Sequence, residues 1–157
     1  MSDEAKPAAA ALPGGMLALV RRARETGDFG PITALIPYAR FLGLQLRQLD
    51  GERVCHMPYQ PMLIGNSALP ALHGGTLGAL LESAAIFELM AQADSDRVPK
   101  IISLTVDYLR SGRAQDTFAH AVITRAGRRV ANVRVEAWQE DRARPIAAAH
   151  VLFLLAR

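Results

Sequence analysis

The chain has 157 residues, 50% of them hydrophobic and 21% charged. That length fits one domain able to bury roughly 70% of its unfolded-chain surface, and the composition excludes disorder, collagen and coiled coil. No apolar run approaches the ~20 residues of a membrane span, and the single cysteine, Cys55, excludes an intrachain disulfide and any multi-cysteine metal site.

The formal net charge is only +3, and Lys6 and Lys100 are the only lysines. The arginines are scattered rather than gathered on one face, which argues against nucleic-acid binding. The two densest groups, Arg21-Arg22-Ala23-Arg24 and Arg125-Ala126-Gly127-Arg128-Arg129, read as a solvated helix face and an exposed turn. The second keeps a further reading as a site for a ligand carrying several phosphates. Residues 1–14 read as a mobile tail. Its start, Met1-Ser2-Asp3-Glu4, is acidic where a secretory signal is basic. With a lone reduced cysteine, that points to the cytoplasm.

Met16 to Glu25 alternates apolar residues and arginines at helical spacing, with Gly27 as a stop. A second short helix is expected from Pro31 to Ile36, ended by Pro37, so that residues 15–36 form an N-terminal helical segment. The main domain then spans 37–157. Phe41–Asp50 reads as a strand, Asp50-Gly51 as a turn and Arg53–Met57 as its hairpin partner. Pro58, Pro61 and Pro70 mark an irregular stretch with a turn at Gly65-Asn66-Ser67.

His73 to Ala93 is the longest helical candidate. Its only charges are Glu82 and Glu88, and a helix apolar on nearly every side is a buried one. Asp94-Ser95-Asp96 and Pro99 end it. Four strands are expected afterwards: Ile101–Arg110, Thr117–Arg125, Val130–Glu140 and Pro145–Ala156. Their connections are too short for crossover helices, so the sheet must be antiparallel. An α+β architecture follows, a hotdog fold in which an antiparallel sheet wraps one long central helix.

Two features stand out as chemistry. Glycines at a helix start each cost about 0.5–1 kcal/mol relative to alanine. Gly74 and Gly75 therefore make sense where something approaches the backbone closely. The first N–H groups of a helix lack internal partners and sit at the positive end of its dipole, a ready place for a developing oxyanion. Glu82 is the second feature. Its helical neighbours are Gly78, Ala79, Ala85 and Ile86, and an acid is almost never fully buried unless paired. A functional carboxylate is the better reading, with a loop-capping role as the structural alternative.

His73-Gly74-Gly75 followed nine residues after the histidine by an acid resembles the signature of hotdog-fold acyl-CoA thioesterases of the phenylacetic-acid-degradation type. Ile102–Arg110 and Gly127-Arg128-Arg129 resemble the same family, and the likeness covers about residues 37–156. It implies that the Gly74 N–H polarises the thioester carbonyl. Glu82 would serve as nucleophile or as general base on water, while His73 would shape the helix start. Family members carry an Asn or Gln six residues before the histidine. That position is Ser67 here, with Asn66 one residue earlier, and both are candidates for holding water or substrate. Gly75, Arg110, Gly127 and Arg128 are the candidates for binding substrate and coenzyme A. No metal or other cofactor is implied.

Gly74 and Glu82 lie eight residues apart, about 12 Å along a helix at ~1.5 Å per residue. One thioester cannot reach both on one chain. The chemistry therefore requires a homo-oligomer, a dimer or tetramer with sites at the interface. Cys55 and His56 are strand neighbours pointing to opposite faces, so they form no nucleophile pair. His120 and His150 stand alone. The reading is an acyl-CoA thioesterase for medium-chain or aromatic acyl groups, with no nucleic-acid or membrane partner. A non-catalytic hotdog protein that binds acyl-CoA or another apolar ligand is the alternative, and a dehydratase a weaker third.

Overall fold

The protein is described here by a computed structural model covering residues 12–92 and 99–155. Three helices open it, α1 (Leu12–Thr26), α2 (Gly30–Leu35) and α3 (Pro37–Phe41). The expected tail therefore falls partly outside the described residues and partly, from Leu12, within α1. As expected, α2 stops ahead of Pro37. The third helix is not expected: Pro37 also occupies the first turn of α3, where its missing N–H has no intrahelical acceptor to lose, and Phe41, expected to begin the first strand, ends that helix.

Strands β1 (Gln45–Leu49) and β2 (Glu52–Met57) form the expected hairpin. Asp50 and Gly51 turn it with φ of 52° and 81°, the left-handed pair that a tight two-residue hairpin needs. A 3-10 turn, Pro61–Leu63, leads to the small hairpin of β3 (Ile64–Asn66) and β4 (Ala71–Leu72). Then come α4 (Gly74–Gln92), β5 (Lys100–Tyr108), β6 (Thr117–Ala126), β7 (Val130–Trp138) and β8 (Ala147–Leu154). The expected helix stop at Asp94-Ser95-Asp96 lies outside the described residues.

The six long strands make one antiparallel sheet in the order β1-β2-β6-β7-β8-β5. Alternation along each strand sets its faces. Ala131, Val133, Val135 and Ala137 of β7 are buried beneath α4, as are Ala147, Ala149, Val151 and Phe153 of β8. Alanines at half of these positions let the helix sit close to the sheet. This is the hotdog arrangement.

By length and hydropathy α4 is apolar enough to cross a membrane, contrary to the expectation from the sequence. Its burial against the sheet identifies it as a core helix instead. That burial is one-sided. Leu77, Leu80, Leu81, Ala84, Phe87 and Leu89 are buried, while Gly75, Ala79, Glu82, Ser83 and Ile86 are not. The second open feature is β5, an edge strand with no neighbour on one side and with Ile101 and Ile102 exposed.

The buried carboxylate of α4 is Glu88, not Glu82. Arg53 of β2 reaches it at 2.7 Å and lies over the Phe29 ring at 4.9 Å. Cys55 faces the core, where burial pushes its thiol up to about 12. His56 points the other way, stacks on Phe118 and meets Asp116 at 2.8 Å. The Tyr59 N–H, and then His56, hold the Asp116 carboxyl below its ordinary value.

Arg53→Ala leaves Glu88 buried without its cation and is expected to lower unfolding free energy by about 3 kcal/mol, measured by urea denaturation. The double variant Arg53→Met, Glu88→Leu, which removes both charges, should recover most of that loss.

Candidate active site

The first turn of α4 is fixed by the residue before it. The His73 ring accepts the Gly75 N–H at its Nδ1 at 2.9 Å. Its carbonyl accepts the N–H groups of Thr76 at 3.0 Å and Leu77 at 3.3 Å, and the Thr76 hydroxyl at 2.7 Å. His73 is held in turn by donating its own N–H to the Leu63 carbonyl at 2.8 Å.

A helix starts with four N–H groups that lack intrahelical acceptors. Here they belong to His73, Gly74, Gly75 and Thr76: the Leu63 carbonyl accepts the first, and His73 accepts those of Gly75 and Thr76. The Gly74 N–H alone is left, with no acceptor among the described residues. It sits at the positive end of a 19-residue helix. Gly74 also lines a cleft with Leu72, Leu77, Tyr108, Arg110 and Ser111. A single free donor at a dipole terminus suits an oxygen that gains negative charge.

As expected, something approaches these glycines closely. Neighbouring side chains fill the places where their Cβ atoms would stand. A Cβ on Gly74 would meet the Tyr108 ring at 3.1 Å, and one on Gly75 would meet His73 Nδ1 at 2.9 Å. On Gly65 it would lie 2.8 Å from the His73 Cα. The Tyr108 hydroxyl donates to the Gly74 carbonyl at 2.8 Å. Tyr108 was missed from sequence as anything but a strand residue, although it lies inside the stretch that carries the family likeness.

Glu82 lies two turns further along α4, half-buried on the open stripe beside Ala79, Ser83 and Ile86. No cation or donor pairs with it among the described residues. Since α4 is one continuous helix, the ~12 Å separation from Gly74 stands within a chain.

Asn66 and Ser67 sit on the β3–β4 hairpin, whose Gly65 packs against His73. A bulge at Gly65 puts Asn66 opposite Ala71, and its Oδ1 accepts the Ala68 N–H at 2.9 Å. Arg110 borders the Gly74 cleft and donates to the Pro145 carbonyl at 2.6 Å. Gly127 and Arg128 lie on the exposed β6–β7 turn at the other end of the sheet, since Tyr108 pairs with Ala147 while Lys100 pairs with Leu154 and Leu154 with Val130. Within one chain, then, the structure gathers His73, Gly74, Gly75, Tyr108 and Arg110 at the helix start, with Asn66 and Ser67 on the neighbouring hairpin. Glu82 and the Arg128 turn stand apart from them. His120 is a satisfied strand histidine, as expected, its Nδ1 accepting from Arg142 at 3.0 Å on the outer face. Among the described residues no cluster of His, Cys, Asp and Glu could hold a metal ion.

A family model described as the Thioesterase superfamily matches residues 69–146, which contain His73, Gly74, Glu82 and Tyr108. The chain is 33% identical over 121 residues to the medium/long-chain acyl-CoA thioesterase YigI of Salmonella typhimurium, across 68% of this chain and 77% of that protein. A solved protein of Chromobacterium violaceum superposes with TM-score 0.72 at 37% identity, covering 88% of this chain and 96% of that one. A phenylacetic acid degradation-related protein of Ralstonia eutropha gives TM-score 0.70, covering 87% and 99% of the two chains. At 22% identity, this last likeness shows the fold alone.

Gly65→Ala forces a carbon against the His73 backbone and is expected to lower stability by about 1–3 kcal/mol and to reduce activity with it. Gly15→Ala, where nothing lies within 4 Å, is the control and should leave both unchanged or raise stability slightly. Thermal melts and initial rates of the two variants check this.

Proposed function

The chain belongs to the thioesterase superfamily, and from that premise we propose that it hydrolyses acyl-CoA thioesters at sites shared between two chains. The observation that carries this reading is the Gly74 N–H, the one donor of the α4 start with no acceptor among the described residues. The thioester carbonyl accepts it. Water adds to the carbonyl carbon, and the oxyanion so formed is stabilised by that N–H and by the helix dipole. The C–S bond then breaks, releasing the acid and the coenzyme A thiol.

Glu82 activates the attack, either taking a proton from the water or itself adding to the carbonyl carbon to give an acyl-enzyme that water then cleaves. It comes from the partner chain, because the glutamate of the same helix lies too far from Gly74. A two-fold axis beside β5 would pair that strand with its copy and set the two α4 helices antiparallel through their open stripes. The start of one helix would then face Glu82 of the other. The same operation would carry the partner's Gly127-Arg128 turn toward the Gly74 end, where Arg110 already lies, so that arginines from both chains would meet the coenzyme phosphates. Asn66 and Ser67 would border the thioester.

For the acyl group we propose a medium chain or an aromatic ring. The exposed apolar residues of β5 and the α4 stripe supply hydrophobic walls at the seam, and the similar YigI is named for medium and long chains. Rates on acetyl-, octanoyl-, palmitoyl- and phenylacetyl-CoA test this, with octanoyl- or phenylacetyl-CoA expected to lead and acetyl-CoA to trail. Glu82→Gln keeps the side-chain volume and is expected to lower kcat by roughly 10²–10⁴-fold while the fold persists. Full activity in a folded Glu82→Gln protein would overturn the assignment.

A further inference from the structure

We propose that Tyr108 is a positioning residue for the hydrolysis, acting through the backbone of Gly74; this rests on the site read above. Two peptide planes meet at Gly74. The first joins the His73 carbonyl to the Gly74 N–H, and the second joins the Gly74 carbonyl to the Gly75 N–H. Each plane is rigid, so the direction of the free N–H depends on the dihedrals of Gly74, the residue type that restrains them least.

The second plane is held at both ends. Its N–H donates to His73 Nδ1 at 2.9 Å, and its carbonyl accepts the Tyr108 hydroxyl at 2.8 Å. The first plane is held only through its carbonyl, by Thr76 and Leu77. Tyr108 is the contact that reaches this joint from the sheet, and it ties the helix start to β5. Its ring also occupies the space over Gly74, 3.1 Å from where a Cβ would stand, and its hydroxyl extends over the next turn, 3.9 Å from a Cβ on Gly78. Glycines at 74 and 78, one turn apart, make the groove in which the tyrosine lies.

Tyr108 therefore adds a hold from the sheet to the one that the helix itself places on the Gly74 carbonyl. A donor held in place stabilises an oxyanion without reorganising when charge develops. A donor free to swing loses part of that advantage at the transition state, and loses little in ground-state binding. The signature of the role is a fall in kcat at nearly constant KM.

The test is Tyr108→Phe, which keeps the ring over Gly74 and removes only the hydroxyl, measured beside Glu82→Gln on octanoyl-CoA and phenylacetyl-CoA. The expected result is a roughly tenfold fall in kcat, smaller than the 10²–10³ of deleting an oxyanion donor outright. KM should stay within about twofold, the loss should be equal on both substrates and the melting temperature unchanged. An unchanged kcat, or a rise in KM at constant kcat, alongside an inactive Glu82→Gln protein overturns the positioning role and leaves the site intact. Full activity in both variants overturns the site and this inference with it.

Discussion

The structure turns on how one histidine distributes its hydrogen bonds at the start of α4. His73 offers a ring nitrogen and a carbonyl to the first turn, and these satisfy two of the four N–H groups that a helix start leaves open, while its own N–H, the third, goes to Leu63. The fourth, on Gly74, remains as a donor at the positive end of the dipole. Much of the surrounding sequence serves that arrangement. Gly65 gives the histidine its place, the Leu63 carbonyl anchors its backbone, and Gly75 leaves room for its ring.

The same helix that offers the donor holds Glu82 away from it. A straight helix separates positions 74 and 82 by about 12 Å. The open features of the fold are the ones a second copy would cover. They are the stripe of Gly75, Ala79, Glu82, Ser83 and Ile86 and the unpaired edge of β5 with Ile101 and Ile102 exposed. A part-exposed helix stripe beside an unpaired strand edge is the kind of surface that a second chain would cover, and the proposed chemistry asks for such a chain.

Much of the fold was legible in the sequence because it follows local rules. Alternation in β6, β7 and β8, left-handed residues at Asp50-Gly51 and a long apolar helix are each written in adjacent residues. What could not be read depends on contacts distant in the chain. Pro37 reads as the stop of α2 and is one, but nothing local shows that it also begins α3, since a proline can end one helix or begin another. Glu88 was passed over because its cation, Arg53, lies 35 residues away. Glu82 was taken to be the sealed acid for the same reason. The reason for Gly74 and Gly75 was half legible: something does approach their backbone closely, but it is Tyr108 and His73. Arg110 and Arg128 look like one basic site in sequence, and only the strand order places them at opposite ends of the sheet.

The shared site is tested most directly by mixing two inactive chains, one carrying Glu82→Gln and the other Gly74→Pro. Proline removes the N–H and is tolerated at the first helical position; its added carbon requires the exposed Tyr108 ring to move by a few tenths of an ångström. If each site takes Gly74 from one chain and Glu82 from the other, a mixed dimer holds one intact site and one with both defects. Random exchange of equal amounts should then restore about a quarter of wild-type activity. Mixed dimers seen by native mass spectrometry with no activity above either parent would contradict the account.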